Sequence, residues 1–171
     1  MSKPLTGKVI LVAGASGAIC KESARRLADQ GATIGLMGRK EAKLNPIYDI
    51  IVNRGGAEPA IVEIDFLKAE ELEYYGLAET LMQEFGRLDG IIHGAINLGY
   101  LTPLAHTDPE KWHHSLKITL NAPYFLTHAM LPLLHQAERA SVIFFEHKEV
   151  ASGEKAYWGS YAVAKAGLHA L

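Results

Sequence analysis

Five short apolar runs alternate with longer amphipathic segments along this chain, and that alternation narrows its possible folds more than any other feature. Val9–Val12, Thr33–Met37, Ala60–Ile64, Leu88–His93 and Ser141–Phe145 read as strands. Val9–Val12, wholly apolar with β-branched members, reads as a strand buried on both faces. Ile19–Gln30, Glu41–Asn53, Ala69–Phe85, Asp108–Ala137 in two parts, and Ala156–Leu171 read as helices. Gly31 and Gly55-Gly56 end the first two, and Pro46 and Gly76 are weak points inside the second and third. Thr107-Asp108-Pro109 is a helix start: a capping carboxylate, then proline at the first helical position. In the first helix Ile19, Ala24, Leu27 and Ala28 form the predicted apolar stripe. Strictly alternating strands and helices predict an α/β fold, an open, doubly wound parallel sheet of about five strands with right-handed crossovers.

The turn after the first run carries the first chemical signal. Lys8–Cys20 reads KVILVAGASGAIC: a buried strand, a turn of small residues, then a helix start. That is half of a Rossmann-like dinucleotide-binding unit, because phosphate needs bare backbone N–H groups and the positive end of a helix. Gly14 and Gly17 are present, while Ala18 and Cys20 stand where glycine is expected.

Three further positions fit such a unit. Arg39 follows the second strand, where an acid would select NAD and an arginine accommodates a 2′-phosphate. No acid lies among Met37, Gly38 and Arg39, so NADP is expected rather than NAD. Asp65, past the third strand, can accept from an adenine amino group or simply cap the next helix. Tyr161 and Lys165 are four apart, on one helix face. A phenol ionises near pH ~10, and a neighbouring ammonium lowers that value, so the pair can move a proton at a carbonyl or alcohol oxygen.

Bulk properties bound the rest. A chain of 171 residues suits one domain, here 1–171, with a real core. A net charge of −2 argues against a nucleic-acid surface. No apolar run reaches the ~18 residues a membrane span needs. The polar MSKPLTGK start is not a signal peptide, and the single cysteine suits a reducing compartment, so a cytoplasmic location is expected. The eight histidines show no zinc-type spacing and no metal site is expected. Cys20, at a helix start, is read as close packing rather than a reactive thiol.

Taken in order, these motifs resemble the short-chain dehydrogenase/reductase family from about Leu5 to the last residue. Ala13–Cys20 matches its glycine turn, Asp65 its acid after strand three, His93-Gly94-Ala95-Ile96 loosely its stretch after strand four, and Asn121 its helix asparagine. AYWGSYAVAKAG, holding Tyr161 and Lys165, is similar to its active-site helix. The resemblance implies an oxidoreductase passing hydride between NADP(H) and a small carbonyl or alcohol. Tyr161 would be the acid/base. Lys165 would bind the nicotinamide ribose and lower the tyrosine pKa. Asn121 would hold a relay water, with Pro123 supporting a helix bend. Gly14, Ser16, Gly17, Ala18, Ile19, Arg39, Asp65, Ala95 and Lys165 would contact the cofactor. A homo-oligomer built on the long and active-site helices is implied, with apolar faces at Leu116, Leu120, Leu126, Ala162, Ala166 and Leu168.

Departures accompany the match. Thirteen residues before Tyr161, where the family carries a serine, stands Lys148; His147 or Lys148 could supply the donor instead, though a lysine there adds a like charge beside the Tyr161–Lys165 pair. Ile96 brings bulk to the expected cofactor path. The family's last strands have no counterpart, which leaves strand five without a neighbour. Two other readings therefore stay open. One is a catalytically impaired relative that serves as a nucleotide-binding or interaction protein. The other is a different Rossmann-like module, in which Asn121, Tyr161 and Lys165 would not converge.

Overall fold

The computed structural model describes residues 3–153 and 155–171; Met1 and Ser2 of the polar N-terminal stretch lie outside them. Five parallel strands run β1 (Val9–Ala13), β2 (Thr33–Gly38), β3 (Ala60–Glu63), β4 (Gly90–His93) and β5 (Ser141–Phe144), in the order β3-β2-β1-β4-β5. β1 is central, with Val9 opposite Thr33 on one side and Ile10 opposite Gly90 on the other. That position explains its unbroken apolar run. Helices α1 (Ala18–Asp29), α2 (Glu41–Asn53) and α3 (Glu71–Phe85) follow the first three strands. β4 leads through a short 3₁₀ turn (Leu104–His106) to α4 (Pro109–Leu116), a π turn (Lys117–Asn121) and α5 (Ala122–Leu134). α6 (Lys148–Ala151) and α7 (Gly159–Ala170) follow β5.

Two apolar clusters sandwich the sheet. Cys20, Ala24 and Ala28 of α1 pack with Leu44, Ile47 and Ile51 of α2 on one face. Tyr74, Ala78 and Leu81 of α3 pack with Leu126, Met130 and Leu133 of α5 on the other. Asp89 pins the amino ends of β1 and β4 together: its carboxylate accepts from Val9 N and Lys8 Nζ, both at 3.0 Å, and from Arg87.

Several local expectations are corrected. Cys20, not Ile19, starts the buried stripe of α1; Ile19 is 64% exposed. α3 starts at Glu71 because Lys68 N and Ala69 N turn back onto the Asp65 carbonyl instead. α2 runs straight through Pro46. α7 begins at Gly159 rather than Ala156, and the four-residue α6 was not anticipated. Leu126 and Leu168 are buried within this chain, so they offer no face to a second copy; Ala166 is exposed, as are the large apolar side chains Tyr124, Leu131 and Val163 of those helices.

His93 closes β4 and is buried. Its Nε2 lies 2.9 Å from Thr127 Oγ1 and its ring stacks on Phe144. Burial pushes its pKa down to about 3. The unfolded chain takes up this proton near pH ~6.5 while the folded chain refuses it. Its contribution to stability is therefore complete above that pH and is lost as pH falls toward 3. Urea unfolding should show His93→Gln with a shallower loss between pH 6.5 and 4.5, the difference reaching at most about 1.4 kcal/mol per pH unit. Parallel pH profiles for the two proteins would refute this.

Candidate active site

The strand order reverses between β1 and β4, and in such sheets the carboxyl ends of the strands splay there to leave a crevice. A cleft of about 500 Å³ occupies that place. Gly14, Ser16 and Gly17 line it from the turn after β1, Arg39 from the end of β2, Asp65 from the end of β3 and Ala95 from the segment after β4. Gly14 has φ +80°, and a Cβ there would lie 2.7 Å from Ala95 N, so the first turn and the β4 segment touch backbone to backbone. Only glycine allows both conditions.

The N-terminus of α1 opens into this cleft. Its cap, Gly17, supplies no side-chain oxygen, so the first N–H groups of the helix have no side-chain partner. At the far edge Arg39 is exposed and makes no hydrogen bond or ion pair among the described residues. Asp65 serves the local turn, accepting from Leu67 N at 3.0 Å, and also faces the cleft. Ala18 and Ile19 are exposed at the start of α1 but do not line the cleft, and neither does Lys165.

The two non-glycine positions of the first turn do not fill the cleft. Cys20 is buried, and burial raises its thiol pKa. Its sulfur occupies the space beside Gly94, where a Cβ would lie only 2.0 Å from Sγ. The missing glycine on α1 is matched by a missing side chain after β4.

Tyr161 and Lys165 sit on α7, which packs on α4, α6 and the π turn. Both are buried, and Lys165 Nζ lies 5.6 Å from the Tyr161 ring centroid. The ammonium donates to the Phe145 carbonyl at 2.7 Å. Burial raises the Tyr161 pKa and lowers that of Lys165. Against the expected lowering by Lys165, burial sets the direction of the Tyr161 pKa. Neither residue lines the cleft. The link is Gly99, a cleft residue at which a Cβ would stand 3.6 Å from Ser160 Oγ.

Asn121 is not brought to this place. It is exposed and borders two other surface hollows, one with Tyr124 and Gly167, the other with Glu70 and His113. The polar side chains that turn inward are Ser115 and Thr119. Ser115 Oγ donates to the Asn97 carbonyl at 2.8 Å, and Thr119 Oγ1 accepts from Asn97 N at 2.9 Å. Asn97 is part of the cleft wall. A π turn adds a residue and rotates everything after it, so a regular helical count from α4 misjudges which residue points inward. The sequence offered a hint in Pro123, which favours a break nearby, but nothing that marked Thr119.

His147, which the sequence offers as a donor in place of the serine, packs on the site, and Trp158, which sequence reading missed, packs beside it. Their rings meet at 5.3 Å and 82°, and both pack on the Tyr161 ring. Lys148, by contrast, is exposed at the start of α6. Among the described residues no three His, Cys, Asp or Glu side chains form a metal site, and no helix is long and apolar enough to cross a membrane.

A parallel sheet with an uncapped helix start at its strand-order switch, and a Tyr–Lys helix whose Ser160 meets the wall of the same crevice at Gly99, define a Rossmann-type α/β domain. The chain belongs to the short-chain dehydrogenase family, whose sequence profile matches residues 8–171. It is 35% identical over 161 residues to the uncharacterized oxidoreductase YciK of Escherichia coli K12, covering 94% of this chain and 64% of that protein. A short chain dehydrogenase structure from Pseudomonas syringae superposes with a TM-score of 0.95 at 37% identity, over 99% of this chain and 68% of that one. One from Shigella flexneri 2a, solved with NADP, gives 0.94 at 34% identity, over 99% and 71%.

Proposed function

We propose that this chain is an NADP(H)-dependent oxidoreductase that interconverts a small carbonyl compound and its alcohol, with Tyr161 as acid/base. One observation carries the reading: the uncapped start of α1 and the unpaired Arg39 open into the same cleft whose wall, at Gly99, abuts the residue before Tyr161. The NADP in the Shigella flexneri structure supports the choice of cofactor.

The residues fit such a cofactor. The small-residue Gly14–Gly17 turn clears the way to the start of α1, whose first backbone N–H groups have no side-chain cap and would meet the pyrophosphate. Arg39 would pair with a 2′-phosphate, and Asp65 would accept from the adenine end. When bound, the dinucleotide supplies or accepts a hydride, which no side chain can do. Tyr161 gives its proton to the carbonyl oxygen in reduction and takes one back in oxidation. Lys165 stabilises the phenolate that results. Thr119, through Asn97, holds the cleft wall in place. We place residues 1–171 as one nucleotide-binding domain, cytoplasmic and homo-oligomeric. The chain spans 64% of the length of the Escherichia coli relative.

Arg39→Ala should weaken NADPH about 10–100-fold, the worth of one charge-assisted contact, and leave NADH nearly unchanged. Cofactor fluorescence checks this, and equal losses for both cofactors would refute it.

A second reading, a nucleotide-binding protein without turnover, draws on Lys148 at the serine position and its exposure. Fluorescence titration with NADPH, followed by assays on aldehydes, ketones and their alcohols, separates the two. Binding with turnover supports the enzyme. Binding without turnover supports the second reading, and failure to bind either cofactor removes both.

A further inference from the structure

We propose that His147 is a second hydrogen-bond donor to the substrate oxygen that Tyr161 protonates; this rests on the oxidoreductase reading above. Three side chains surround the Tyr161 ring: Trp158 with its centroid at 5.7 Å, His147 at 6.3 Å and Lys165 Nζ at 5.6 Å. The Lys165 ammonium is engaged by the Phe145 carbonyl. His147 is exposed, and its ring nitrogens make no hydrogen bond or ion pair among the described residues.

The His147 backbone is nevertheless fixed from both sides. Lys165 grips the carbonyl two residues before it. Val150 N and Ala151 N donate to its own carbonyl at 3.0 and 2.9 Å. Its imidazole stands edge-to-face on Trp158 and Tyr161, at 82° and 71°. Trp158 is held in turn by an unusual backbone. Tyr157, the residue before it, has φ +71°, the left-handed region that a tyrosine rarely adopts. Thr102 N, donating to the Tyr157 carbonyl at 3.1 Å, helps to hold it there. Such strain persists where the surroundings impose it, and it concentrates at working sites. A ring so placed, with an unengaged N–H and access to solvent, is a pre-positioned donor.

The chemistry needs one. In reduction the carbonyl carbon gains a hydride from the dihydronicotinamide, and the π electron pair moves to oxygen. The Tyr161 O–H bond breaks, its proton goes to that oxygen, and the phenolate recovers a proton from water. A carbonyl oxygen has two lone-pair directions. Tyr161 meets one and the His147 N–H meets the other as negative charge builds.

The test measures kcat and KM for NADPH-dependent reduction, together with NADPH affinity by fluorescence. His147→Phe keeps the ring against Trp158 and removes the donor; His147→Gln restores an N–H. His147→Phe is expected to lose about 10²–10³ in kcat with KM within about threefold, and His147→Gln to recover at least about tenfold. NADPH affinity should stay constant in both. The inference is overturned if His147→Phe retains wild-type kcat while Tyr161→Phe is inactive, an outcome that leaves the oxidoreductase reading standing. It is also overturned if His147→Gln falls as far as His147→Phe, if NADPH binding is lost in proportion, or if Trp158→Phe alone carries the loss. A wild-type chain that reduces no carbonyl compound removes the reading and the inference together.

Discussion

Tyr161→Phe is expected to lower NADPH-dependent carbonyl reduction by about 10²–10⁴, with NADPH affinity within about twofold of wild type. The change removes one oxygen and leaves the ring that packs on His147 and Trp158. Loss of rate therefore reports on the proton and not on the packing. Burial adds a direction to the prediction. Because the Tyr161 pKa is raised, the phenol stays protonated through neutral pH and above its usual value. Reduction needs that proton, so its rate should be flat across neutral pH. Oxidation needs the phenolate, so the alcohol reaction should keep rising with pH to ~10 and beyond. Retention of more than about a tenth of the wild-type rate in Tyr161→Phe would remove the phenol from the mechanism.

The second large effect lies in the packing beneath the cleft. In Gly94→Ala the new Cβ would meet Cys20 Sγ at 2.0 Å, with Ala13 O and a Phe145 ring carbon at 3.4 Å closing the other sides. Neither element can retreat, since Cys20 belongs to the buried stripe of α1. Overpacking of this kind costs about 1–3 kcal/mol, or roughly 2–12 °C in Tm for a chain of this size. Cys20→Ala removes the sulfur and leaves the nearest remaining contacts at ordinary distance. The double variant Cys20→Ala/Gly94→Ala should therefore recover most of the loss, a coupling of about 0.5–3 kcal/mol in a double-mutant cycle. If Gly94→Ala costs the same in both backgrounds, the sulfur is not what fills the space.

The coupling also shows where sequence reading reaches its limit. The strands were legible because a central parallel sheet demands unbroken apolar runs, and β1 and β4 supply them. The turn after β1 was legible because phosphate geometry permits only small residues there. Cys20 and Gly94 looked like two separate departures, because they lie far apart in the chain and meet only after folding. The Tyr161–Lys165 pair followed from one helical turn. The direction of the tyrosine pKa did not, since it depends on how much water α6 and α7 exclude. Asn121 was chosen by its chemistry, but which residue faces inward is set by helix phase. His147 was legible as a donor in place of the serine but not as a ring packed on Tyr161, because its aromatic neighbours lie eleven and fourteen residues further along.

The π turn has a consequence for chain length. Five residues, Lys117–Asn121, link α4 to α5 without interrupting the rod. Deleting any one of them would leave a longer, more regular helix with better-aligned backbone hydrogen bonds. It would also turn α4 about 100° relative to α5. Ser115 would swing off the Asn97 carbonyl, and the cleft wall would lose its anchor although no residue that lines the turn's inner side had been substituted. The spacing between α4 and α5 is thus a functional quantity in its own right: away from the buried Ile118 and Thr119, this segment should tolerate exchanges of side chain and no change of length.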